Sequence, residues 1–293
     1  MLTGATGRLG PYLIAQAERV GLRVEAWCRS PHANPNESRA VSVDVSDRAA
    51  LEARIDLVRP RAVLHAAAIS EVALCHADPA LAERVNHEAA RQVADVCAAR
   101  AIRLVSVSTD MVFDGERAPY AEGDAPEPAC VYGATKRRGE VAVLRHPGHL
   151  VARLALMYGP RLGARASFFD TLVTHLREGR ALRLFDDEWR GMLSMRAASQ
   201  ALVELTQIAC EGVVHLAGER MSRYDLGLRT AEALGLPAAC LSPGSRSEHT
   251  GPEPRQRDLT LSCARLRQIL PTWSAGDFSH EVERMLEQAG HVS

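Results

Sequence analysis

The stretch "TGATGRLG" at residues 3–10 places Gly4, Gly7 and Gly10 three residues apart, directly before the helical run "PYLIAQAERVG". Glycines at these positions allow a tight turn and a close approach of backbone N–H groups to a diphosphate, which a helix N-terminus also attracts. The stretch therefore predicts a dinucleotide-binding turn after the first strand of a parallel sheet. Only three residues precede Gly4, whereas a strand usually has about five. We therefore expect a truncated first strand and a translation start upstream of Met1.

Short apolar runs alternate with longer amphipathic stretches on either side of this turn, which is typical of βαβ units. The predicted strands are 22–28, 40–44, 61–68, 102–108, 149–160 and 212–218, and the predicted helices are 47–58, 79–100, 168–179 and 278–289. This order predicts an α/β fold, a Rossmann-type doubly wound parallel sheet with a smaller, interleaved C-terminal lobe. We place a cofactor-binding domain at 1–160 and a substrate-binding lobe at 161–293.

The composition excludes several classes of function. The chain of 293 residues has 35 basic and 36 acidic residues, a formal net charge of -1 and a pI near 6.8. Without a clustered basic face, neither nucleic acid nor an anionic membrane is an expected partner. The seven cysteines are dispersed and form no C-x-x-C pair. We therefore expect reduced thiols, a cytoplasmic location and no metal site.

Arg29 follows the second predicted strand within "CRSP" (28–31). A site selective for NAD usually has an acidic residue there, which binds the ribose 2′-hydroxyl. A guanidinium group instead matches the 2′-phosphate of NADP. We therefore expect NADPH as the cofactor, with NADH as the alternative.

Lys136 is the one lysine among 35 basic residues, so the other 34 are arginine. It follows Tyr132 by four positions in "YGATK", a spacing that puts both side chains on one face of a helix. A nearby ammonium stabilises a phenolate, and unlike a guanidinium it can join a proton relay. Ser108 and Thr109 supply hydroxyls at the end of the preceding strand. Together these residues predict a carbonyl-reduction site in which Tyr132 gives the proton.

Longer stretches surround these motifs. They are "GATGRLG" (4–10), "DVSD" (44–47), "HAAAISEVALCHADPALAERVN" (65–86), "STDMVFDG" (108–115), "YAEGDAPEPACVYGATKRRGE" (120–140) and "YGP" (158–160). In this order they resemble the extended short-chain dehydrogenase/reductase superfamily and, within it, the dTDP-4-dehydrorhamnose reductase family. The resemblance implies that Thr109 is the hydroxyl donor, Tyr132 the acid and Lys136 the activating cation.

The resemblance also implies a set of cofactor contacts. They are Gly4, Thr6, Gly7, Arg8, Leu9 and Gly10 in the turn, Asp44 and Val45 beside the adenine, Ala66, Ala67 and Ala68 in the loop along the cofactor, and Tyr132 and Lys136 in the reactive site. With Arg29 added at the ribose, these residues predict an NADPH site.

A nucleotide sugar is the substrate that the resemblance implies, and a homodimer is a further expectation. Related dehydratases carry a glutamate where this chain has Met111, and related epimerases carry "VYG" where it has "VFDG" (112–115), so both departures favour a reductase. The weaker substrate candidates are Ser108, Phe168, Trp189, Arg190, Arg255 and Arg257.

Alternative functions remain open at this point. The chain also resembles the non-catalytic, NADP-binding subunit of methionine adenosyltransferase, which would need no proton donor. An epimerase of the superfamily, or a reductase of a simpler carbonyl compound, would share the same site. We interpret His65, at the end of a predicted strand, as a packed histidine rather than a base.

Overall fold

A computed structural model describes residues 1–29 and 40–290. The strands are β1 (Leu2–Thr3), β2 (Ala26–Cys28), β3 (Val41–Ser42), β4 (Ala62–His65), β5 (Arg103–Thr109), β6 (Leu150–Leu154), β7 (Met157–Tyr158), β8 (Leu182–Phe185), β9 (Trp189–Ser194), β10 (Gly212–Leu216), β11 (Glu219–Ser222) and β12 (Leu241–Gly244). Seven of them form one parallel sheet in the order β10-β6-β5-β4-β1-β2-β3. The predicted Rossmann-type fold is confirmed.

The helices lie on both faces of this sheet and around a smaller second layer. They are α1 (Gly10–Arg19), α2 (Arg48–Val58), α3 (Val72–Ala77), α4 (Pro79–Glu83), α5 (Ala89–Ala99), α6 (Val131–Val143), α7 (Phe168–Glu178), α8 (Met195–Leu205), α9 (Arg223–Ala233), α10 (Ala264–Ile269) and α11 (Phe278–Gln288). A π-helical turn, Arg84–Glu88, joins α4 to α5. Within the described ranges, no helix combines the length and apolar character that crossing a bilayer requires.

Strand β1 lies inside the sheet, has only two residues, and pairs with β2 on one side and β4 on the other. This short strand limits the length over which its neighbours can pair with it. The predicted strand 22–28 is paired only over Ala26–Cys28, because Leu2 and Thr3 lie opposite Ala26 and Trp27. Strand order still brings the Gly4 turn to the carboxyl edge of the sheet, where ligands of such folds bind.

Two hydrophobic cores hold the helices to the sheet. On one face, Trp27 is fully buried together with Leu51 of α2 and Val93 of α5. On the other face, Tyr12 of α1 belongs to a larger cluster that continues through α8 into the second half of the chain. The second half is therefore packed against the sheet rather than separated from it.

A segment beyond residue 160 also forms part of the main sheet. Strand β10 forms its edge by pairing with β6, from Gly212 opposite Leu150 to Leu216 opposite Leu154. The remaining strands build two small sheets, β11-β9-β7 and β12-β8. This arrangement matches the expected interleaving, while the division at residue 160 stays a prediction.

Helix α6 is fixed to the sheet by a buried ion pair. Glu140 on α6 and Arg153 on β6 are 2.8 Å apart, with side chains 1% and 2% exposed. The Ser108 hydroxyl of β5 also donates to Glu140, at 2.6 Å. Ion pairs at such depth stabilise a fold only when the remaining polar atoms are bonded as well, and here both carboxylate oxygens accept hydrogen bonds. The pair therefore sets the position of α6 across two strands.

Candidate active site

Two glycines of the first turn, Gly4 and Gly10, meet steric requirements that no other residue satisfies. Gly4 has φ of +74°, and a Cβ there would lie 2.7 Å from the backbone of Ala66. A Cβ on Gly10 would lie 2.1 Å from the carbonyl oxygen of Ala5. The turn thus packs directly against the loop after β4 and against the start of α1.

A cavity of about 220 Å³ lies along this turn. Its lining includes these residues predicted to bind the cofactor: Gly4, Thr6, Gly7, Arg29, Asp44, Val45, Ala66, Ala67 and Ala68. It also includes residues that sequence reasoning missed, among them Cys28, Ser46, Glu71 and Arg165. The site fits a dinucleotide diphosphate, because glycine backbone faces the cavity and the first N–H groups of α1 have no acceptor within the helix.

Other predicted cofactor residues lie outside the lining. Leu9 and Gly10 are buried where α1 begins. Arg8 is exposed, and its Nε donates to the carbonyl oxygen of Ala166 at 3.0 Å. Arg29 stands at the end of β2, whereas the next two residues of the predicted "CRSP" motif, 30 and 31, are outside the described residues. The turn glycine Gly10 therefore acts through packing.

Thr109 lies at the carboxyl end of β5, and Tyr132 and Lys136 lie on the first turns of α6. None of the three lines the cavity, but Tyr132 belongs to the cluster against which the lining residue Ile69 packs. All three are buried. The Thr109 hydroxyl faces the Tyr132 phenol, and it donates to Asp110 Oδ1 at 3.0 Å. The α6 helix presents the tyrosine and the lysine on one face, as their spacing predicts.

The electrostatics of the pair differ from the prediction. The sequence suggests that the Lys136 ammonium lowers the pKa of Tyr132. In the structure, burial raises the pKa of Tyr132 more than the hydrogen bond shared with Thr109 lowers it. Lys136 Nζ is turned to the sheet, where it donates to the Val107 carbonyl oxygen at 2.7 Å. Burial lowers the pKa of Lys136 to about 8, opposed by the charge of Glu140. The phenol is therefore held protonated and the lysine stays cationic at neutral pH.

Asp110 is a buried carboxylic acid next to the reactive hydroxyls. Its Oδ1 accepts the Thr109 hydrogen bond, whereas Oδ2 is buried without a partner in the described chain. Burial raises the pKa of Asp110 from 3.8 to about 6, although the Arg190 charge and the Thr109 hydrogen bond oppose the shift. An unpartnered buried oxygen of this kind is suited to accept a hydrogen bond from a substrate hydroxyl.

Three arginines of the second half converge on one buried carboxylate, Glu188, which is 0% exposed. Arg223 Nε is 3.1 Å from Glu188 Oε1, and Arg255 Nη1 is 3.6 Å from Oε2. Arg190 Nη2 lies at 3.5 Å. Two of the guanidinium groups also stack on aromatic rings: Arg223 on Phe168 and Arg255 on Phe185. We call Glu188, Arg190, Arg223 and Arg255 the arginine cluster.

Members of the arginine cluster differ in what they offer a ligand. Arg190 is buried, and its Nη1 donates to the carbonyl oxygens of Trp189 and Gln256. Its donors are thus engaged by the protein. The Arg255 Nε atom is buried with no partner among the described residues. Arg223 and Arg255 are therefore the members suited to an anionic ligand, and Arg223 was missed because it is one arginine among 34.

The other substrate candidates have different surroundings. Ser108 is committed to Glu140 and faces away from Thr109, because neighbouring strand residues point to opposite faces. The Trp189 ring stacks under the guanidinium of Arg220. Arg257 is exposed and donates to the Glu116 carbonyl oxygen. None of these contacts joins them to the reactive hydroxyls.

Asn86 is a positioning residue that sequence reasoning missed. Its side chain accepts from Ile69 N–H at 2.9 Å, donates to the Ile69 carbonyl oxygen at 3.0 Å, and reaches Thr135 Oγ1 at 3.2 Å. It thereby joins the loop along the cavity to helix α6. Its π-helical turn is a feature often found near functional sites. An asparagine among the apolar positions of the predicted helix 79–100 is the sequence signal that could have revealed it.

His65 is buried at the end of β4, and its Nδ1 shares a hydrogen bond of 2.8 Å with the Thr3 hydroxyl. Burial lowers the pKa of His65 to about 3, so the ring is neutral at physiological pH. Across the described ranges, no group of three or more histidine, cysteine or acidic side chains is arranged to hold a metal ion.

Comparison with known proteins agrees with this geometry. A model of the RmlD substrate binding domain matches residues 1–290. The chain belongs to the RmlD substrate-binding domain family. This family is one of the extended short-chain dehydrogenases/reductases, as the resemblance implied.

Individual relatives of this RmlD-type chain carry two kinds of name. It is 34% identical to the dTDP-4-keto-6-deoxy-D-glucose reductase of Streptomyces niveus over 266 residues, which is 89% of this chain and 87% of the relative. It is 30% identical to methionine adenosyltransferase 2 subunit beta of Xenopus laevis over 277 residues, 92% of this chain and 81% of the relative.

Solved structures resemble this RmlD-type chain over nearly its whole length. A hypothetical dTDP-4-dehydrorhamnose reductase from Sulfolobus tokodaii superposes with a TM-score of 0.83 at 28% identity, covering 96% of this chain and 98% of the other. The dTDP-4-dehydrorhamnose reductase of Bacillus anthracis, solved with NADP, gives a TM-score of 0.86 at 21% identity and covers 98% of both chains. The latter likeness concerns the fold.

The environment of Asp110 yields a prediction on stability. Because its folded pKa of about 6 exceeds the ordinary 3.8, the protonated side chain stabilises the fold below pH 4. That contribution is lost as pH rises through 6. Asp110→Asn should therefore match wild type near pH 4 and exceed it by about 2 kcal/mol at pH 8, measured by urea unfolding.

Asp186→Asn is the matched control, because Asp186 is exposed. Its unfolding free energy should stay within about 0.5 kcal/mol of wild type at both pH values. If the unfolding free energy of Asp110→Asn differs from that of wild type by the same amount at pH 4 and pH 8, the raised pKa of Asp110 is contradicted.

Proposed function

We propose that this chain is an NADPH-dependent reductase of a 4-keto sugar linked to a nucleotide. The observation that carries the proposal is the burial of Thr109, Tyr132 and Lys136 on the adjoining elements β5 and α6, with Tyr132 in the cluster against which Ile69 of the cavity lining packs. A protonated phenol next to a hydroxyl is what the reduction of a carbonyl group requires.

The nicotinamide, when bound, supplies the hydride that reduces the carbonyl carbon. Tyr132 then gives its proton to the oxygen as the alkoxide develops, and the raised pKa ensures that the proton is present. The Thr109 hydroxyl turns from Asp110 to the carbonyl oxygen and donates a hydrogen bond. Lys136, cationic and within one helical turn of Tyr132, supports the tyrosinate that remains.

The cavity supports the choice of NADPH. Arg29 lines it near Asp44, and the Arg29 charge lowers the pKa of that carboxyl group, after the larger effect of its hydrogen bonds with Ser46. The carboxylate of Asp44 is therefore engaged by Ser46, which leaves Arg29 as the charged group for a ribose phosphate. A 2′-phosphate would find a cation there.

The arginine cluster supports a phosphorylated substrate. Arg223 and Arg255 offer two guanidinium groups of defined orientation, because each is stacked on a ring and paired with Glu188. Guanidinium forks bind the oxygens of phosphate esters in pairs. A nucleoside diphosphate sugar would place its diphosphate at this cluster and its keto group at Tyr132.

Reduction is favoured over dehydration by the residue next to Asp110. Met111 occupies the position where related dehydratases carry a second acid, and its backbone N–H donates to Thr109 Oγ1. It brings no carboxylate to the reactive hydroxyls. The names of two relatives, the reductases of Streptomyces niveus and Streptomyces griseus, point the same way.

A second candidate function rests on the similarity to methionine adenosyltransferase 2 subunit beta, which covers 92% of this chain at 30% identity. In that case the chain would bind the cofactor and a catalytic partner without reducing a substrate. The buried hydroxyl, phenol and lysine favour the reductase, because a binding subunit has no use for a proton donor.

The test follows NADPH absorbance with a dTDP-4-keto-6-deoxy sugar prepared in a coupled reaction. Tyr132→Phe removes the proton donor, and Lys136→Arg replaces the compact cation with a broad one. Turnover should fall by about a hundredfold or more in each, the scale of general-acid catalysis. Arg138→Lys is the control, because Arg138 lies on the same helix and pairs with Glu83 at the surface.

Two results would argue against the reductase. Turnover that survives Tyr132→Phe would remove the proposed acid. Tight NADPH binding without oxidation of the NADPH in the presence of any keto sugar would favour the binding subunit. A third result concerns the substrate. If NADPH is oxidised equally fast with a nucleotide-free carbonyl compound, the enzyme reduces simpler substrates than a nucleotide sugar.

The substrate assignment has its own test in Arg223→Gln. Loss of this guanidinium should raise KM for the nucleotide sugar about tenfold or more, because a charge-assisted contact is lost, with kcat and NADPH affinity nearly unchanged. Arg229→Gln is the control on the same helix, where Arg229 pairs with exposed Glu219. An unchanged KM in a folded Arg223→Gln protein would contradict a diphosphate at the arginine cluster.

A further inference from the structure

One segment of the second half, 161–167, folds onto the glycine turn of the first half. At its end, the Ser167 hydroxyl donates to the Gly159 carbonyl oxygen at 2.8 Å. Beside the turn, Arg8 Nε donates to the Ala166 carbonyl oxygen at 3.0 Å. The segment is therefore tied to the first half at two places, Gly159 and Arg8.

Arg165 reaches the cofactor cavity from this segment. It lines the cavity together with Thr6 and Gly7 of the turn. The other lining residues in the described chain come from residues 3–89, so Arg165 is the contribution of the second half. Its backbone neighbour Ala166 is the residue that Arg8 holds, which places Arg165 beside the diphosphate-binding turn.

The cavity has two cations among its described lining residues, and they lie in different places. Arg29 follows β2 and is close enough to Asp44 to influence its carboxyl group. Arg165 belongs to the segment fastened beside Arg8. A dinucleotide has anionic groups at matching separate positions, namely the ribose phosphate and the central diphosphate.

We propose that Arg165 binds the diphosphate of the cofactor and that Arg8 is a positioning residue that holds the 161–167 segment over it. The inference rests on the dinucleotide part of the proposed function. Arg8 itself does not line the cavity: its guanidinium donates to Ala166 and lies 3.7 Å from Glu71. The backbone of the turn contacts the diphosphate from one side, and Arg165 contacts it from the other.

This arrangement makes cofactor binding a contact between the two halves of the chain. An arginine facing a diphosphate gains charge-assisted hydrogen bonds in addition to those from the N-terminus of α1. Because the segment also leads into α7, which begins at Phe168 beside Arg223, a bound cofactor would fix the same region that carries the arginine cluster.

The experiment measures binding of ligand fragments by calorimetry, so it does not depend on turnover. ADP-ribose carries the diphosphate without a 2′-phosphate, and adenosine 2′-monophosphate carries the 2′-phosphate without a diphosphate. Arg165→Gln should weaken the binding of ADP-ribose and NADPH about tenfold or more and leave the affinity for adenosine 2′-monophosphate unchanged. Arg29→Gln should show the reverse pattern for the two fragments.

Arg161→Gln is the matched control, because Arg161 is an exposed arginine of the same segment whose side chain does not line the cavity. It should bind every ligand as wild type does. Arg165→Lys should recover part of the lost affinity for ADP-ribose, since it restores the charge without the fork.

The role of Arg8 is tested by a double-mutant cycle. Arg8→Gln should weaken ADP-ribose binding in the wild-type background. It should have little further effect on that affinity in the Arg165→Gln background. Independent, additive losses would overturn the positioning role.

Two outcomes would overturn the assignment of Arg165. They are unchanged ADP-ribose affinity in Arg165→Gln, and an equal loss for ADP-ribose and adenosine 2′-monophosphate. Wild-type protein that binds neither NADPH nor ADP-ribose would instead reject the cofactor in the proposed function. The two failures are therefore distinguishable.

Discussion

Helix α6 approaches two backbone carbonyl groups so closely that only glycine fits at the contacts. A Cβ on Gly133 would lie 1.9 Å from the Met111 oxygen, and a Cβ on Gly139 would lie 2.6 Å from the Asn86 oxygen. Tyr132 and Lys136 stand on this helix between the end of β5 and the loop along the cavity. The two glycines allow the helix to pack closely against both carbonyl groups, and this packing places Tyr132 and Lys136 near Thr109.

This close packing also determines the protonation of the site. Burial disfavours a charged phenolate more strongly than neighbouring groups stabilise it, so Tyr132 remains an acid. The same burial lowers the pKa of Lys136 to about 8, which still leaves a cation at neutral pH. A site with a protonated phenol and a cationic lysine is prepared for reduction of a carbonyl group, in which the proton must be given and not taken.

The sequence was sufficient for features that depend on local spacing. The glycine turn, the order of strands and helices, and the Tyr132 and Lys136 pair all follow from residues within a few positions of one another. Contacts across the fold could not be found in this way. Glu188, Arg223 and Arg255 are separated in the chain, and Arg165 is far along the chain from the turn whose cavity it lines. Arg255 was a candidate from the sequence, whereas Arg165 and Arg223 carry no signal of their own in a chain with 34 arginines. The direction of the Tyr132 pKa was wrong because burial is not visible in the sequence.

The central claim is that hydride passes from the cofactor to a carbonyl carbon beside Tyr132. The most direct measurement incubates the protein with a dTDP-4-keto-6-deoxy sugar and NADPH carrying two deuterium atoms at the nicotinamide C4, and analyses the product by mass spectrometry. We expect a nucleotide-linked deoxy sugar that contains one deuterium at the former carbonyl carbon. The Tyr132→Phe protein should form no such labelled product over the same interval. An unlabelled sugar, despite saturating NADPH, would contradict the claim.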